Sequence, residues 1–504
     1  MIAPKFCGIE TEYGIISRGV EMSPVTASSL LITAYCGDAS RIDWDFAMER
    51  PYADLRGFLV DDRLDPEIDH QMVNVVLTNG ARYYVDHAHP EYSSPECTTA
   101  FDVVCFDLAG DEILRRSMNA AREILHRQDA EIVVYKNNSD GKGNSYGCHE
   151  NYLVSRSTPF SDIVRFMTTH FVTRQVFTGS GKIGVENQIG GNSTTFQISQ
   201  RADFFEEEVG LETTLRRPII NTRDEPHADA LKYRRLHVIV GDANMSEVAT
   251  LAKVGSTQIL LGMIEDGAFP DRLVLDEPLA AMTAVSRDVA LSRPLRLSGG
   301  DSMTALEMQL ELVAAGERWC SGLDADVVHS YRWDEVLVEW RSLLVGLAQD
   351  VASVADRVDW VAKKRLVDAF RERHDVATTD PRLKAIDLQY HDLRPERCLA
   401  QRAGLRRVVD ADAVQRATVF PPVDTRAFFR GEILRRWPDA VVAANWDSMV
   451  LDTGSGALVR VPMDEPGRGT KALVGRLLDQ AVDVSDVLRL LRESADRSDS
   501  VMHG

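Results

Sequence analysis

The pattern of apolar residues changes near residue 240, and this change constrains the fold more than any other feature. Before that point, short strand-like runs alternate with loops and helical stretches. From about Ser246 to Asp380, apolar residues recur at helical spacing, as at Leu337, Trp340 and Leu344. Strands followed by helices that pack against them predict an α+β fold with an antiparallel or mixed sheet.

The length of the chain predicts one large and one small domain. The 504 residues are 44% hydrophobic and 27% charged, which is typical of a globular protein with a sizeable core. Because Pro421-Pro422 looks like a boundary, we expect a large domain over residues 1–424 and a small one over 425–504. The small domain is predicted to hold a β-hairpin turning at Gly454-Ser455-Gly456 and an amphipathic helix from Ser485 to Glu493. At roughly 80 residues it is expected to dock on the large domain.

Charge and cysteine usage narrow the possible partners and the compartment. A formal net charge of -20 argues against nucleic acid or an anionic membrane as the partner. The seven cysteines are scattered and contain no C-x-x-C pair, which suits a reducing cytosol. The apolar stretches are too short to span a bilayer. We therefore expect a cytoplasmic protein.

A segment crowded with Asp, Arg and Glu covers residues 39–70 and has few apolar anchors. A long charged loop of this kind is either disordered or a mobile lid beside a site. The composition of the segment favours neither alternative.

The segment Ala81–Tyr92 places an acid and two histidines where an apolar β run stops. The run Tyr83-Tyr84-Val85 favours a strand, on which Tyr84 and Asp86 share a face. Pro90 is expected to end the regular pairing. A carboxylate at the end of a strand is a frequent place for chemistry, although such an acid is more often a cap or an ion-pair partner.

Two glutamates near the N-terminus form a second candidate. In Gly8-Ile9-Glu10-Thr11-Glu12, period-two spacing puts Glu10 and Glu12 on one face of a strand, about 7 Å apart. Hard cations can bridge such a distance. The alternative is a strand with its polar face in solvent.

A third candidate is the glycine-rich run from Lys136 to Gly147 and the strand that follows it. On that strand His149 and Asn151 share one face, and Glu150 and Tyr152 share the other. Glycines let backbone N–H groups approach an anion closely. A plain surface hairpin would explain the loop, but not a histidine and a glutamate inside a strand.

A fourth candidate pairs Arg235 with His237 on one face of a strand. Arginine suits phosphate oxygens, and neutral imidazole suits a divalent metal shared with carboxylates. An isolated histidine in a strand is usually a core residue, but its recurrence on several strands favours one shared site. The run Gly179–Gly184 resembles part of a phosphate loop but lacks the full spacing, so it is interpreted as a turn or loop.

Four stretches together resemble the Pup ligase/depupylase family; they cover residues 8–14, 136–152, 217–229 and 232–246. The resemblance implies a glutamine-synthetase-like fold, in which helices pack a curved antiparallel sheet and a small C-terminal domain follows. The context His87-Ala88-His89 is similar to the hydrolytic branch, whereas the ligase branch has Val-Gly-Ser in place of His87-Ala88. The segment 39–70 also resembles a loop of the hydrolytic branch, although it is shorter than usual there.

The resemblance implies an enzyme that hydrolyses the C-terminal glutamine of Pup to glutamate and cleaves the isopeptide bond between Pup and a substrate lysine. It also implies bound ATP, or ADP with phosphate, and Mg²⁺, with the nucleotide acting as a cofactor. The catalytic positions it implies are Asp86 and Arg223. The metal positions are Glu10, Tyr84, Glu91, Glu150 and His237. The nucleotide positions are Gly8, Glu12, Ser93, Arg235 and Trp446.

A basic stretch is the candidate for binding Pup, which is small, disordered and acidic. Residues 382–407 hold seven basic and three acidic residues. We expect this stretch, through Arg382, Arg394, Arg402 and Arg406, to line part of a groove for the Pup helix. The alternative is an ordinary solvated helix face.

Three rival functions remain open from the sequence. The first is a Pup ligase of the same family, and the second is an amino-acid ligase related to glutamine synthetase. The third is a catalytically idle Pup-binding adaptor, which is disfavoured because the implied metal and catalytic positions all hold competent residues.

Overall fold

The computed structural model describes residues 3–37, 42–46, 49–50, 53–56, 73–186, 196–214 and 216–502. The strands, in chain order, are β1 (Cys7–Glu12), β2 (Gly14–Arg18), β3 (Asp43–Trp44), β4 (Asn74–Val76), β5 (Arg82–Asp86), β6 (His89–Ser93), β7 (Glu131–Tyr135), β8 (Cys148–Ser155), β9 (Lys182–Ile183), β10 (Phe196–Gln197), β11 (Phe205–Gly210), β12 (Arg217–Asn221), β13 (Tyr233–Val238), β14 (Pro294–Arg296), β15 (Ser302–Thr304), β16 (Val441–Ala444), β17 (Ser448–Asp452) and β18 (Leu458–Pro462). The α-helices are α1 (Pro24–Cys36), α2 (Ala100–Leu125), α3 (Phe160–Thr173), α4 (Gln175–Thr178), α5 (Glu247–Glu265), α6 (Pro278–Arg287), α7 (Ala305–Cys320), α8 (Ala325–Ser330), α9 (Trp333–Gln349), α10 (Asp359–His374), α11 (Pro381–Tyr390), α12 (Leu399–Arg402), α13 (Ala411–Ala417), α14 (Ala427–Arg436), α15 (Lys471–Gln480) and α16 (Val484–Met502).

A six-stranded antiparallel sheet carries the candidate site, with the strand order β13-β8-β1-β6-β5-β4. The alternation of β1 explains why the sheet has two different faces. Cys7, Ile9 and Thr11 are buried against helices α2 and α5, whereas Glu10 and Glu12 point to the other face. The predicted α+β class, with helices packed on an antiparallel sheet, is confirmed.

The helical half is confirmed as well. Helix α5 begins at the N-cap Ser246, whose side chain accepts a hydrogen bond from the N–H of Ala249. Every residue from Glu247 to Ile264 is buried, because α5 lies between the sheet and helices α3, α7 and α9. Most of the enclosed surface is apolar, and buried polar side chains of α5 have hydrogen-bond partners. Lys253 Nζ donates to the carbonyl of Asp242 at 2.9 Å, and Gln258 Nε2 donates to the carbonyl of Lys5 at 2.8 Å.

The hairpin of β5 and β6 corrects one expectation. Pro90 was expected to end regular pairing, but it lies inside β6, opposite Val85. The chain turns three residues earlier, at His87, which has a positive φ of 51°. The prediction therefore fails at Pro90, and the strand continues through Glu91 to Ser93.

The C-terminal part has a hydrophobic cluster of its own, built from residues of α14 to α16 together with Ile42, Trp44 and Val76. The predicted hairpin is confirmed as β17 and β18, and the predicted amphipathic helix as α16. Strand β3 pairs parallel to β16 and so joins the sheet β18-β17-β16-β3. The division at residue 424 itself stays a prediction.

Most of the charged segment 39–70 lies outside the described residues. One described piece, residues 53–56, lies against the loop that carries Arg223: the N–H of Leu55 donates to the carbonyl of Thr222 at 2.7 Å, and the N–H of Asp224 donates to the carbonyl of Ala53 at 2.8 Å. Within the described ranges, no helix is both long and apolar enough to cross a membrane.

Candidate active site

Strands β8, β1, β6 and β5 bring polar side chains together on the sheet face opposite α2 and α5. The register aligns Glu10 with His149 on one side and with Ser93 on the other, and it aligns Glu12 with Glu91. Two groups result, each with its ligand atoms within 4.8 Å of one another: Glu10, His149 and His237 in the first, and Glu12, Asp86 and Glu91 in the second.

The first group is organised by Asn151. Its side-chain amide donates to Glu10 Oε1 at 2.7 Å, while its Oδ1 lies 2.8 Å from Arg235 Nη1 and 3.0 Å from His237 Nδ1. Burial lowers the pKa of His237 well below its usual value, so the imidazole is neutral. With Nδ1 held by Asn151, Nε2 of His237 is free to bind a metal ion.

Opposing influences act on the pKa of Glu10. Burial alone would raise it, but the hydrogen bond to His149 and the nearby positive charge of Arg235 hold the pKa well below its ordinary value. Glu10 is therefore a carboxylate, and carboxylate with neutral imidazole is a donor set that suits a hard divalent cation.

The second group contains three acids in contact range. Burial and the negative charges of Asp86, Glu12 and Glu10 raise the pKa of Glu91 well above its ordinary value. Carboxylates that repel one another in this way are relieved by a bound cation, so the residues fit Mg²⁺ or a similar ion. The hydroxyl of Tyr84 donates to Glu91 Oε1 at 2.5 Å, and burial raises the pKa of Tyr84 well above its usual value. Tyr84 is thus a neutral phenol that orients Glu91.

Asp86 lies at the end of β5, beside the turn. Burial would raise its pKa, but His87, whose Nδ1 is 3.0 Å from Asp86 Oδ2, lowers it below the ordinary value. His149 and Arg82 add to the same effect. The result is an ionised carboxylate held at the edge of the acid group.

Glu150 was expected to be a metal position, and the structure does not bring it to this face. It pairs with Ile9 in the register and points to the helical side, where Arg174 donates to both of its carboxylate oxygens at 2.5 and 2.9 Å. Both side chains are almost completely buried, at 0% and 1% exposure. The structure places His149 and Asn151, its neighbours on the strand, on the site face, as the alternation of β8 requires.

A cleft opens at the Gly8 end of β1, lined by residues of β1, β6 and β8 and by residues of the C-terminal part. Of the positions predicted to contact the nucleotide, Gly8, Ser93, Arg235 and Trp446 all line the cleft, and Glu10 reaches it from the first metal group. Glu12 does not line it, because Glu12 lies in the group of Asp86.

Two residues that line the cleft were not found from the sequence. His227 has a positive φ of 47°, and burial lowers its pKa to about 3. Arg426 comes from the C-terminal part and lies 2.6 Å from Glu96 through its Nε. Neither belongs to a strand with polar alternation, so the sequence carried no signal for them.

Arg223 lies on the loop after β12, beside the first metal group. Its charge contributes to the lowered pKa of His237 and of Arg235. Its Nε is buried and has no hydrogen-bond partner among the described residues. The guanidinium is therefore available to a ligand.

The basic stretch 382–407 carries less free positive charge than its sequence suggested. Arg382 pairs with Asp380, Arg406 with Glu339, and Arg394 with both Asp392 and Glu131. Arg402 donates to the carbonyl of Glu396. Because acids neutralise three of the four arginines, their role in a Pup groove stays a prediction.

Carboxylates and imidazoles at the end of such a cleft are typical of enzymes that hold a phosphate-bearing ligand through divalent cations. Comparison with known proteins agrees with this class. The family model described as Pup-ligase protein matches residues 5–450, and the chain belongs to this family.

Relatives within the family cover different shares of the chain. A protein named depupylase from Acidothermus cellulolyticus is 46% identical over 96% of this chain and 98% of its own length. A Pup deamidase/depupylase from Mycolicibacterium smegmatis is 44% identical over 97% of this chain and 99% of its own. A Pup--protein ligase from Nocardia farcinica is 41% identical, over 80% of this chain and 90% of its own.

A solved structure of the ligase PafA in complex with Pup superposes with a TM-score of 0.78 at 32% identity, over 94% of this chain and 92% of that one. A structure of PafA in complex with ADP gives a TM-score of 0.72 at 36% identity, over 81% of this chain and 89% of that one.

Proposed function

We propose that this chain is a hydrolase that deamidates the C-terminal glutamine of Pup and cleaves the isopeptide bond between Pup and substrate lysines. The observation that carries the proposal is the ionised carboxylate of Asp86, held by His87 beside two further acids. Among the sequence relatives, those named for deamidation or depupylation are 44–46% identical over nearly the whole chain, whereas the one named a ligase is 41% identical over about four fifths of it. The solved structure of PafA with Pup superposes over 94% of the chain, so the support comes from the sequence relatives.

One carboxylate suffices for both reactions because both break a bond at the same γ-carbonyl carbon. Water adds its oxygen to that carbon, and the leaving group is ammonia in one case and a lysine amine in the other. Asp86 either attacks the carbonyl and is regenerated by water, or takes a proton from the attacking water. Arg223, with its buried and unpaired Nε, is suited to stabilise the negative charge that develops on the carbonyl oxygen.

The donor sets indicate how the cofactors would be held. Glu10 and His237 would bind one cation, and Glu12 and Glu91 a second, with Tyr84 orienting Glu91. Arg235 at the cleft wall suits phosphate oxygens, and the Trp446 ring at the cleft mouth suits a base. When bound, Mg²⁺ would offset the charge of the carboxylates and hold the phosphates of ATP, or of ADP with phosphate.

The decisive experiment compares two forms of Pup as substrates. With ATP or ADP and Mg²⁺, we expect ammonia release from Pup ending in glutamine, and release of free lysine side chains from a pupylated protein. Nucleotide consumption is expected to be far below the number of turnovers. If the protein instead joins Pup ending in glutamate to a lysine and consumes one ATP per bond, it is a ligase and the proposal is wrong.

A further inference from the structure

His89 faces Asp86 across the hairpin of β5 and β6. The register pairs the two residues directly, and on β6 His89 shares the site face with Glu91 and Ser93. Ser93 lines the cleft at the Gly8 end, and Glu91 belongs to the acid group. His89 is therefore the member of this row that lies farthest from the cleft, on the side of Asp86 that is left for the second substrate.

The imidazole ring of His89 is held from two sides. Its centroid lies 4.5 Å from that of the Tyr146 ring, with an angle of 36° between the two planes. Tyr146 is itself fixed, because its hydroxyl donates to Asn137 Oδ1 at 2.8 Å and a Cβ on Gly14 would lie only 2.5 Å from that hydroxyl. On the other side, Nδ1 of His89 lies 3.8 Å from Glu12 Oε2. The protein thus sets both the plane of the ring and the direction of its nitrogens.

The same carboxylate selects one tautomer of His89. A proton on Nδ1 faces Glu12 favourably, whereas the other tautomer would turn a lone pair toward a negative charge. Burial lowers the pKa of His89 below its ordinary value, although the charges of Glu12 and Asp86 oppose this effect. A cation bound at Glu12 and Glu91 would lower the pKa further, so the ring is neutral at neutral pH. Nε2 therefore carries the lone pair and accepts hydrogen bonds.

The scissile nitrogen is the part of the reacting group that still lacks a partner. In the proposed mechanism Asp86 acts on the carbonyl carbon or its water, and Arg223 is suited to the carbonyl oxygen. Glu12 and Glu91, as proposed ligands of a cation, direct their oxygens at the metal. His89 lies opposite Asp86 and outside both metal groups, and neither of its ring nitrogens has a hydrogen-bond partner among the described residues. Its Nε2 is therefore available to that nitrogen.

We propose that Nε2 of His89 accepts a hydrogen bond from the scissile nitrogen, and that His89 is thereby a specificity-determining residue that selects amides. This inference rests on the proposed function. A γ-carboxamide carries two N–H donors on that nitrogen, and an isopeptide amide carries one. The γ-carboxylate of the product carries none, and its charged oxygen meets the Nε2 lone pair unfavourably. His89 therefore favours both substrates over the product, and it orients the nitrogen that leaves while the carbonyl carbon faces Asp86.

The test compares two substrates that differ in the leaving atom. Pup ending in glutamine offers N–H donors, whereas Pup ending in the γ-methyl ester of glutamate offers an oxygen without hydrogen. Conversion of each to the glutamate form, with ATP and Mg²⁺, is followed by mass spectrometry and expressed per folded protein. His89→Phe keeps a ring on Tyr146 but removes the acceptor, so we expect kcat/KM to fall roughly 10- to 100-fold for the amide and less than about 3-fold for the ester. An equal factor for the two substrates, or an unchanged amide rate, overturns the inference.

A second variant separates hydrogen bonding from packing. His89→Gln can place its side-chain carbonyl near the position of Nε2 and is expected to keep part of the amide rate, with the ester rate unchanged. If His89 served only to pack on Tyr146, His89→Phe would keep the amide rate and His89→Gln would lose it, and that order contradicts the inference. His126→Phe alters an exposed histidine and is the matched control, expected to leave both rates unchanged.

A binding measurement separates this inference from the proposed function. The affinities of labelled Pup ending in glutamine and in glutamate are measured by fluorescence anisotropy on Asp86→Asn, and again with His89→Phe added. We expect the second substitution to reduce the preference for the glutamine form by roughly 3- to 10-fold. If the wild type releases no ammonia but this reduction is seen, the function is wrong and the contact stands. If ammonia is released and His89→Phe changes neither this preference nor the ratio of amide to ester rates, the contact is wrong and the function stands.

Discussion

At the level of single side chains, Asp86 carries the sharpest prediction. Asp86→Asn keeps the shape of the side chain but removes the negative charge that, in the proposed mechanism, attacks the carbonyl or accepts a proton. We expect kcat to fall by roughly 10³-fold or more, with nucleotide affinity nearly unchanged. Ammonia release and nucleotide titration measure the two effects. Asp301→Asn, an exposed aspartate, is the matched control and is expected to keep full activity.

Substitutions of Glu150 and Glu10 are expected to have different effects: the first lowers stability, and the second lowers the affinity for Mg²⁺. Glu150→Gln leaves Arg174 buried without a carboxylate, which lowers the free energy of unfolding by about 3–5 kcal/mol. Glu10→Gln replaces one carboxylate oxygen of the proposed metal site with an amide nitrogen. We expect it to lower the affinity for Mg²⁺ by at least about 10-fold, on the order of the losses measured around metal sites. Urea unfolding and Mg²⁺ titration of both variants check this. A loss of Mg²⁺ affinity in a stably folded Glu150→Gln variant would show that Glu150 binds the metal after all.

At the level of elements, α5 packs so tightly that replacing one of its glycines with alanine is expected to destabilise the protein, although alanine is the better helix former. A Cβ on Gly255 would lie 2.4 Å from Val336 Cγ1, so Gly255→Ala is expected to destabilise by about 1–3 kcal/mol despite the better propensity of alanine. Gly475 in α15 is the control, since its Cβ would meet only the flexible Lys471 side chain at 3.3 Å. Gly475→Ala is expected to stabilise by about 0.5–1 kcal/mol. Thermal unfolding compares the two; stabilisation of both would show that α5 can shift.

Strand alternation explains what the sequence predicted well and where it failed. Period two correctly put Glu10 with Glu12, and Tyr84 with Asp86, on shared faces. It also put His149 and Asn151 on one face and Glu150 on the other, without deciding which face carries the site. The resemblance chose Glu150, and the structure puts the face of His149 and Asn151 in the site. The prediction that strand pairing ends at Pro90 was wrong, because proline was taken to end a strand, whereas Pro90 lies inside β6 opposite Val85.

Ion pairs between residues that are remote in the chain could not be predicted from the sequence. The acids that neutralise Arg394 and Arg406 include Glu131 and Glu339, which are remote in the chain. Charge counts along a segment therefore say little about the free charge that a partner would meet.

At the level of the whole molecule, buried histidines set an acid limit on stability. Burial lowers the pKa of His170 and of His391 well below the ordinary value. As pH falls below about 6.5, the unfolded chain binds protons that the folded chain does not. Each of the two histidines therefore lowers the free energy of unfolding by about 1 kcal/mol between pH 7 and pH 5.5. Stability returns as pH rises. Urea unfolding should show a smaller pH effect in His391→Gln, and an unchanged one in His374→Gln, which alters an exposed histidine.

The cleft proposed to bind the nucleotide joins distant parts of the chain, since Gly8 and Ser93 come from the central sheet and Trp446 from the C-terminal part. A ligand bound there holds these parts together, and at 100 times its Kd it stabilises the folded state by about 2.7 kcal/mol. We expect ATP with Mg²⁺ to raise the unfolding temperature, and Trp446→Ala to remove most of that rise. Trp437→Ala, which alters a tryptophan outside the cleft, is expected to lower the starting temperature and keep the rise. Equal rises in both variants would place the nucleotide elsewhere, because only a ligand that contacts Trp446 draws part of its binding energy from it.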